Sequence, residues 1–346
     1  MSLHETIQRA WWRPRVGGLA TLLWPLSLFY ALLRWAVHGP WRWGWRRAWR
    51  APVPVLVVGN LVVGGAGKTP TVIAMAQALQ RRGWHPGIVS RGYGGERRES
   101  GRPLQVRADS AASQTGDEPL LMVLRTGLPV WVCQNRVTAA RALCEHHPEV
   151  DVLISDDGLQ HLALQRDAEL VVFDDRGAGN GLQLPAGPLR EPLPQGLLGH
   201  TRVLYNANQP STRLPGPCAR RALAGIQPLK DWWGAAIPVR NLDAWRGRRV
   251  LAAAGIGHPE RFFAMLAQAG LDVERWPLAD HAPLTPRPWP VDAPCVVVTE
   301  KDAVKLPLSQ ISPAEHAALH VATLDFEIPD STVEALEQLL LPVRRP

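Results

Sequence analysis

Cysteine is scarce in this chain, and the few cysteines show no paired spacing. Among 346 residues there are Cys133, Cys144, Cys218 and Cys295, each far from the next. Zinc and iron–sulfur sites use cysteines at short, repeated spacings, so neither kind of site organises this protein. Scattered cysteines are typical of reduced thiols in a cytosolic protein.

The body of the chain also lacks an excess of either charge. Residues 1–50 hold eight arginines and one acid, Glu5, whereas the remainder holds 30 basic and 30 acidic residues. The formal net charge of +7 therefore belongs to the N-terminal segment. A nucleic-acid-binding protein carries its basic surface on the folded body, so nucleic acid is excluded as a partner. The pattern favours an anionic partner of the N-terminus, and no obligate protein partner is evident.

Charge is absent altogether from residues 16–33, which form an apolar, helix-periodic run between Arg15 and Arg34. Eight of the fifteen tryptophans lie within positions 11–49, several of them next to arginine. Tryptophan and arginine together suit a lipid headgroup interface. We therefore predict that residues 1–50 associate with a membrane surface. The alternatives are a true membrane span, for which Pro25 and the length are unfavourable, and a core helix. No cleavage site typical of a signal peptide follows the run.

A glycine-rich loop follows the apolar run at 53–58 and precedes a predicted helix over 70–82. Backbone N–H groups at a helix N-terminus bind phosphate, a lysine reaches the outer phosphates, and a threonine can hold Mg²⁺. The usual pattern has a glycine where Val62 stands, and the loop resembles the Lys-Gly-Gly-x-Gly-Lys-Thr variant with Val63 replacing the first lysine. The predicted ATP-binding residues are Val62, Val63, Gly64, Gly65, Ala66, Gly67, Lys68 and Thr69.

Two carboxylates, Asp156 and Asp157, directly follow a later hydrophobic strand, 152–155. A strand that ends in aspartate is typical of a Walker-B motif, which positions Mg²⁺ beside the phosphate loop. We predict that Mg²⁺ is held by Thr69, Asp157 and Glu118, because it prefers oxygen ligands.

Strands alternate with helices along the body, which predicts an α/β fold with a mainly parallel sheet in a P-loop NTPase-type N-terminal lobe. The predicted strands are 53–58, 86–90, 129–133, 152–155, 169–173, 249–253, 295–299 and 319–327, with a second helix over 259–269. The predicted domains are the membrane-associating segment 1–50, a kinase lobe 51–204, an irregular linker 205–245 and a smaller α/β lobe 246–346.

Several residues could act as the base for a phosphoryl acceptor. Asp117 and Glu118 lie in a turn-rich context, where an N-cap for a helix beginning at Pro119 is an equal alternative. His161 is more typical of a structural histidine, and Asp280 with His281 could form an acid–imidazole pair. Arg190, in a rigid proline-rich loop, suits a phosphate or a developing phosphoryl charge.

Taken in order, these segments resemble the tetraacyldisaccharide 4'-kinase family, the lipid A 4'-kinases. The matching segments are residues 58–70, 90–94, 116–119, 156–161, 179–191, 254–257, 280–281 and 299–303. Two positions depart from the family pattern: Ala66 stands where a hydroxyl residue is common, and no second histidine or aromatic residue follows His281 closely.

The resemblance implies two α/β/α lobes with an N-terminal membrane-associated helix at the cytoplasmic face of a Gram-negative inner membrane. It implies ATP-dependent phosphorylation of the 4'-hydroxyl of an acylated glucosamine disaccharide lipid, giving lipid IVA. By motif, the family's base dyad corresponds to Asp117 and His281, with Lys68, Asp156, Asp157 and Arg190 completing the predicted catalytic set. Two alternatives remain open: a membrane-positioned ATPase switch, and a kinase for another small acceptor.

Overall fold

The computed structural model describes residues 3–13, 15–95, 101–235 and 239–344. Parts of four predicted segments lie outside the described residues: 1, 2 and 14 of the membrane-associating segment, 96–100 of the kinase lobe, 236–238 of the linker, and 345–346 of the C-terminal lobe. The chain divides into two compact units. The first comprises Met1–Val89, Arg136–Arg220 and Ile328–Pro346, and the second comprises Ser90–Asn135 and Arg221–Glu327.

Within the described residues the chain alternates between helices and strands. The helices are α1 (Leu3–Trp11), α2 (Gly18–Arg42), α3 (Lys68–Arg81), α4 (Ala112–Thr115), α5 (Asp117–Thr126), α6 (Arg136–His146), α7 (Leu229–Ala235), α8 (Pro259–Gln268), α9 (Glu300–Ala303), α10 (Pro313–Ala318) and α11 (Asp330–Leu340). The strands are β1 (Val55–Gly59), β2 (Pro86–Ser90), β3 (Leu104–Val106), β4 (Val130–Val132), β5 (Val152–Asp156), β6 (Ala168–Asp174), β7 (Thr201–Asn206), β8 (Arg220–Pro228), β9 (Arg249–Ala254), β10 (Asp272–Pro277), β11 (Val296–Thr299) and β12 (Leu319–Glu327).

The sheet of the first unit contains strands in the order β2-β5-β1-β6-β7, and each neighbouring pair is parallel. Every residue of β1 and β5 is buried, as expected for strands covered on both faces. Because the strands are parallel, their carboxyl ends share one edge, where Val58 pairs with Asp156 and Asp174 pairs with Asn206. Functional side chains of such sheets lie at this edge.

The C-terminal helix α11 belongs to the first unit although it follows the strands of the second. Its Glu337 accepts hydrogen bonds from the Trp84 indole at 2.8 Å and from Arg82 at 3.0 Å. The two units therefore divide the chain differently from the boundaries predicted from sequence, which gave each lobe one continuous segment. The difference arises because long-range contacts assign 328–346 to the first unit and 90–135 to the second.

The N-terminal helix α2 is longer than the uncharged run and continues through Pro25 and Pro40. Residues 18–41 are long and apolar enough to cross a membrane, by length and composition alone. Only 11% of the most apolar 18-residue stretch of α2 is buried, so α2 is not a core helix. Large apolar side chains remain exposed along it, among them Leu22 at 75% and Phe29 at 59%.

The second unit contains a sheet in the order β10-β9-β11-β12-β8, in which β10, β9, β11 and β12 pair in parallel. It also holds the antiparallel pair β3 and β4. Segment 90–135 is tied to this unit by a buried ion pair, Arg125–Glu300 at 2.6 Å. Glu300 also accepts from the Trp232 indole at 3.1 Å and from the Leu324 N–H at 3.1 Å, so its carboxylate is fully used.

The α/β class and the mainly parallel sheets predicted from sequence are confirmed. The prediction of an irregular linker over 205–245 is wrong, because this segment contains β8 and α7. β8 is rich in alanine and contains glycine, which have weak β-propensity, so packing rather than local preference makes it a strand. The strands β3, β7 and β10 were also missed; β10 is largely exposed and carries three charged residues.

Candidate active site

The glycine-rich loop joins β1 to α3, and Gly67 is the N-cap residue of α3. Gly67 has φ 86°, and no side chain in the described part of the chain caps the helix, so capping leaves the first N–H groups of α3 unused. Gly64 and Gly65 are exposed, whereas Val62 and Ala66 are buried. This geometry is that of an anion site at a helix N-terminus. The roles of Val62 and Ala66 in ATP binding stay predictions.

Polar side chains stabilise the conformation of the loop through hydrogen bonds to its backbone. Asn60 donates to the Gly64 carbonyl at 3.1 Å and accepts from Lys68 Nζ at 3.2 Å. Asn206, at the end of β7, donates to the Ala66 carbonyl at 3.3 Å. Asn206 was missed from sequence because only the parallel register of β6 and β7 brings it to this edge.

A second side chain missed from sequence reaches the exposed part of the loop. Arg176 donates to the Gly65 carbonyl at 3.0 Å, and Asp174 holds the Arg176 guanidinium at 2.7 Å. Asp174 is fully buried at the end of β6. A buried carboxylate thus anchors a cation beside the predicted phosphate site.

The two Walker-B aspartates have different surroundings. Asp156 ends β5 with 4% of its surface exposed, and its backbone carbonyl accepts from Arg136 at 3.0 Å. Asp157 adopts φ 48° and lies 3.7 Å from Lys68 Nζ. Arg190 donates to both Asp157 oxygens, at 3.0 and 3.1 Å. Lys68, Asp157 and Arg190, far apart in sequence, therefore form one ionic cluster in the first unit.

Electrostatics keep Asp157 ionised. Burial by itself raises the pKa of Asp157, but the positive charges of Lys68 and Arg190 outweigh it and hold the pKa below its ordinary value. Arg190 also donates to Gln160 Oε1 at 3.3 Å, and Gln160 donates to Glu191 at 2.8 Å. His161 accepts from the Arg136 backbone N–H at 3.1 Å, which agrees with a structural histidine.

The oxygen donors for a magnesium ion are few. Thr69 is the second residue of α3, and Asp157 directly follows the last residue of β5. Across the described ranges, no group of three or more His, Cys, Asp or Glu side chains could form a protein cage for a metal. Mg²⁺ commonly uses one or two protein oxygens together with substrate phosphates, so Thr69 and Asp157 fit this donor set.

In the second unit, Asp117 is the first residue of α5, and its N-cap residue is Gly116 with φ 91°. The alternative that Asp117 or Glu118 caps a helix beginning at Pro119 is therefore wrong. Asp117 Oδ2 lies 3.0 Å from His281 Nδ1. His281 has φ 60°, and its backbone N–H donates to the Gly255 carbonyl at 3.2 Å. The structure thus brings together the acid and imidazole that the family resemblance paired.

Two lysines missed from sequence surround this pair. Lys305 Nζ lies 3.6 Å from Asp117 Oδ2, and Lys301 Nζ lies 3.2 Å from His281 Nε2. An ammonium group only donates, so Nε2 accepts and the ring proton resides on Nδ1, where it faces Asp117. Lys301 lies in the segment 299–303 that matches the family, but no local signal indicated its role or that of Lys305.

Glu118, predicted as a magnesium ligand, forms an ion pair with Lys301 at 3.0 Å. Burial by itself lowers the pKa of Lys301, but the Glu118 and Asp280 carboxylates outweigh it and raise the pKa above its ordinary value. Glu118 belongs to the second unit, whereas Thr69 and Asp157 belong to the first. The role of Glu118 as a magnesium ligand stays a prediction.

Comparisons with known proteins agree on one family. A protein named tetraacyldisaccharide 4'-kinase from Leptothrix cholodnii is 53% identical over 350 residues, which cover 99% of this chain and 98% of that protein. One of the same name from Methylibium petroleiphilum is 49% identical, covering 95% and 92%. The crystal structure of LpxK from Aquifex aeolicus in complex with ATP matches with a TM-score of 0.73 and 24% identity, covering 93% of this chain and 99% of that one.

The solved structure supports the fold, while the family follows from sequence. The family model LpxK, described as tetraacyldisaccharide-1-P 4'-kinase, matches residues 19–341. The chain therefore belongs to the tetraacyldisaccharide-1-P 4'-kinase family.

Proposed function

We propose that this protein transfers the γ-phosphate of ATP to the 4'-hydroxyl of a tetraacyldisaccharide 1-phosphate, giving lipid IVA. The observation that carries the proposal is the Asp117–His281 pair at 3.0 Å in a family member that also has a phosphate loop. A protein that only binds or hydrolyses ATP needs no base for an acceptor hydroxyl, whereas a kinase does.

The first unit binds the nucleotide. The N-terminus of α3 receives the phosphates, and Lys68 reaches the outer ones, where it reduces the repulsion felt by an incoming hydroxyl oxygen. Thr69 and Asp157 would hold Mg²⁺, which neutralises charge on the phosphates when bound. Arg190 keeps Asp157 ionised and in place through its two hydrogen bonds.

The second unit supplies the base. Asp117 accepts the proton of the 4'-hydroxyl, which makes the oxygen a better nucleophile. The His281 Nδ1–H donates to Asp117 and fixes its orientation, and Lys301 holds His281 in that tautomer. Lys305 Nζ lies 3.6 Å from Asp117 Oδ2, and this ion pair helps to hold the carboxylate in place.

We place the protein at the cytoplasmic face of the bacterial inner membrane, with α2 inserted at the interface. The exposed apolar side chains of α2 supply the contact with acyl chains. Arginines cluster at 42–50, directly after α2, and positive residues favour the cytoplasmic side and anionic headgroups. An acceptor whose acyl chains stay in the bilayer needs an enzyme held at that surface.

The test is transfer of labelled γ-phosphate to the purified disaccharide lipid in mixed micelles. The wild-type protein should produce a labelled lipid, and Lys68→Ala and Asp117→Ala should each lose at least about a hundredfold in rate. Thr21→Val is a suitable control, since the exposed Thr21 hydroxyl bonds the Gly17 carbonyl one turn before it in the N-terminal segment. Wild-type rates in both variants would refute the assignment.

The same assay separates the alternatives. A regulatory ATPase switch would hydrolyse ATP at full rate without lipid and form nucleotide-dependent dimers. The Val63 position, where that class has its signature lysine, uses its backbone N–H to bind the Pro188 carbonyl at 2.9 Å, which gives the switch no support. A kinase for another acceptor would label a soluble sugar in preference to the lipid.

A further inference from the structure

One face of the helix α2 is polar although the rest of it is apolar and exposed. Ser27, Tyr30 and Arg34 follow the i, i+3, i+7 spacing that places side chains on one side of a helix. Ser27 is 5% exposed, whereas its neighbours Leu26 and Leu28 are 55% and 53% exposed. A helix that serves only as a membrane anchor has no need of a buried serine.

The polar face binds a loop, residues 179–191, which we call the docking loop. Ser27 Oγ donates to the Gln183 carbonyl at 2.9 Å and accepts from the Ala186 N–H at 3.0 Å. The Tyr30 hydroxyl donates to the Arg190 carbonyl at 2.9 Å. Three positions along the docking loop are therefore bonded to one face of α2.

The same loop is held at three further points by the N-terminal segment. Arg34 forms an ion pair with Glu191 at 3.5 Å. From α1, the Trp11 indole donates to the Pro185 carbonyl at 2.8 Å, and the Asn180 N–H donates to the Trp11 carbonyl at 2.8 Å. Both N-terminal helices therefore hold the docking loop through hydrogen bonds and an ion pair. Because such contacts depend on direction as well as distance, they fix the orientation of the loop against the helices.

The other side of the docking loop is bonded to the nucleotide site. The Arg190 N–H donates to the Leu61 carbonyl at 2.7 Å, and the Val63 N–H donates to the Pro188 carbonyl at 2.9 Å. The Arg190 side chain donates hydrogen bonds to both carboxylate oxygens of Asp157. The backbone of one residue, Arg190, is thus held by Tyr30 on one side and by the phosphate loop on the other.

We propose that Ser27, Tyr30 and Arg34 are positioning residues for the nucleotide site, so that α2 aligns Arg190 and the phosphate loop in addition to anchoring the protein. This inference rests on the proposed function. It predicts that ATP binding depends on the polar face of α2, while membrane binding depends on the apolar face.

The experiment uses the full-length protein in detergent micelles, with ATP affinity measured in the absence of any lipid acceptor. Tyr30→Phe removes one hydroxyl and should weaken ATP binding about fivefold, the effect expected for one lost hydrogen bond of about 1 kcal/mol. Ser27→Ala should have an effect of similar size. Flotation with phosphatidylglycerol-containing vesicles should be unchanged in both. Thr21→Val, on the same helix but exposed and without a contact to the docking loop in the described structure, should leave ATP affinity unchanged.

Two further variants separate positioning from general damage. Arg34→Lys should retain most of the affinity that Arg34→Gln loses, because lysine keeps the charge that faces Glu191. In an Arg190→Ala background, Tyr30→Phe should cause a smaller additional loss than in the wild type, because the part of its effect that passes through the Arg190 side chain is already gone while the backbone bond to the Leu61 carbonyl remains.

Unchanged ATP affinity in Tyr30→Phe and Ser27→Ala would overturn the inference, and so would full additivity with Arg190→Ala. Loss of vesicle flotation in step with ATP affinity would also overturn it, because it would show that the face acts only in anchoring. Since ATP binding is read without acceptor, failure of the inference stays distinct from failure of the wild-type protein to phosphorylate the lipid.

Discussion

Three glycines of the phosphate loop give a graded test of the loop geometry. Gly65 has open space where an added methyl group would lie, and its φ is not in the left-handed range. Gly64 has φ 95° with only the Arg176 guanidinium at 4.0 Å. Gly67 has φ 86°, and a methyl group there would collide with the Asn206 side chain. Substitution by alanine therefore adds no strain at Gly65, backbone strain at Gly64, and both strain and a clash at Gly67.

The magnitudes follow from these geometries. A non-glycine residue in the left-handed region costs about 1–2 kcal/mol, and forcing a group into a packed site costs about 1–3 kcal/mol more. Gly64→Ala should therefore lose about 1–2 kcal/mol and Gly67→Ala about 2–5 kcal/mol, while Gly65→Ala should be near neutral. For a unit of this size 1 kcal/mol lowers Tm by roughly 2–4 °C.

The assay is thermal unfolding of the nucleotide-free protein in detergent, followed by ATP affinity. Gly65→Ala should have the highest Tm of the three variants, Gly64→Ala an intermediate one and Gly67→Ala the lowest. The Tm values of Gly65→Ala and Gly67→Ala should differ by several degrees. ATP affinity should fall most for Gly67→Ala, because displacement of Asn206 removes its hydrogen bond to the Ala66 carbonyl. Equal stability of Gly67→Ala and Gly65→Ala would refute the reasoning.

Three further predictions concern the remaining parts of the site. Asp117→Asn should lower kcat by about 10²–10⁴-fold while leaving ATP affinity unchanged, and a fall in ATP affinity of similar size would contradict a role as base. The lowered pKa of Asp157 means that its ion pairs stabilise the protein fully above about pH 4 and lose that contribution as the pH falls. The difference in Tm between wild type and Asp157→Asn should therefore be roughly constant from about pH 7 to 5 and shrink below about pH 4; a constant difference throughout would argue against it. Glu300→Gln should cost about 3–5 kcal/mol of stability, read from denaturant unfolding, because it leaves the buried charge of Arg125 without its carboxylate. A loss below about 1 kcal/mol would show that the pair contributes little.

The strand–loop–helix at 55–81 could be read from sequence because its signals are local. The apolar strand, the glycines and the Lys-Thr pair are consecutive, so propensity and pattern act on the same short segment. The predicted helix over 70–82 forms as α3 from Lys68 to Arg81. The family prediction is confirmed, and its strength came from many short segments occurring in one order.

Local signals failed where packing decided the structure. β10 reads as a polar segment because it lies at a sheet edge, and β8 reads as a linker because its alanines and glycine have little strand preference. In each case contacts made elsewhere in the fold outweigh the preference of the segment itself.

The catalytic roles of the site residues stay predictions. The structure nevertheless shows which side chains contact one another at the site, and the sequence alone could not show those contacts. Asp117 and His281 were paired only through the family resemblance, since 164 residues separate them. Lys301 lies in the matching segment 299–303, but the sequence indicated no role for it or for Lys305.

By itself, the sequence determined the phosphate loop, the α/β class, the family and an apolar helix flanked by arginine, because each depends on residues near one another in the chain. Only the tertiary structure decided that Lys68, Asp157 and Arg190 form one cluster, that lysines flank the Asp117–His281 pair, and that the polar face of α2 holds the docking loop. Those contacts join residues tens to hundreds of positions apart. Strand order and register bring them together, and neither is encoded in any short segment of the chain.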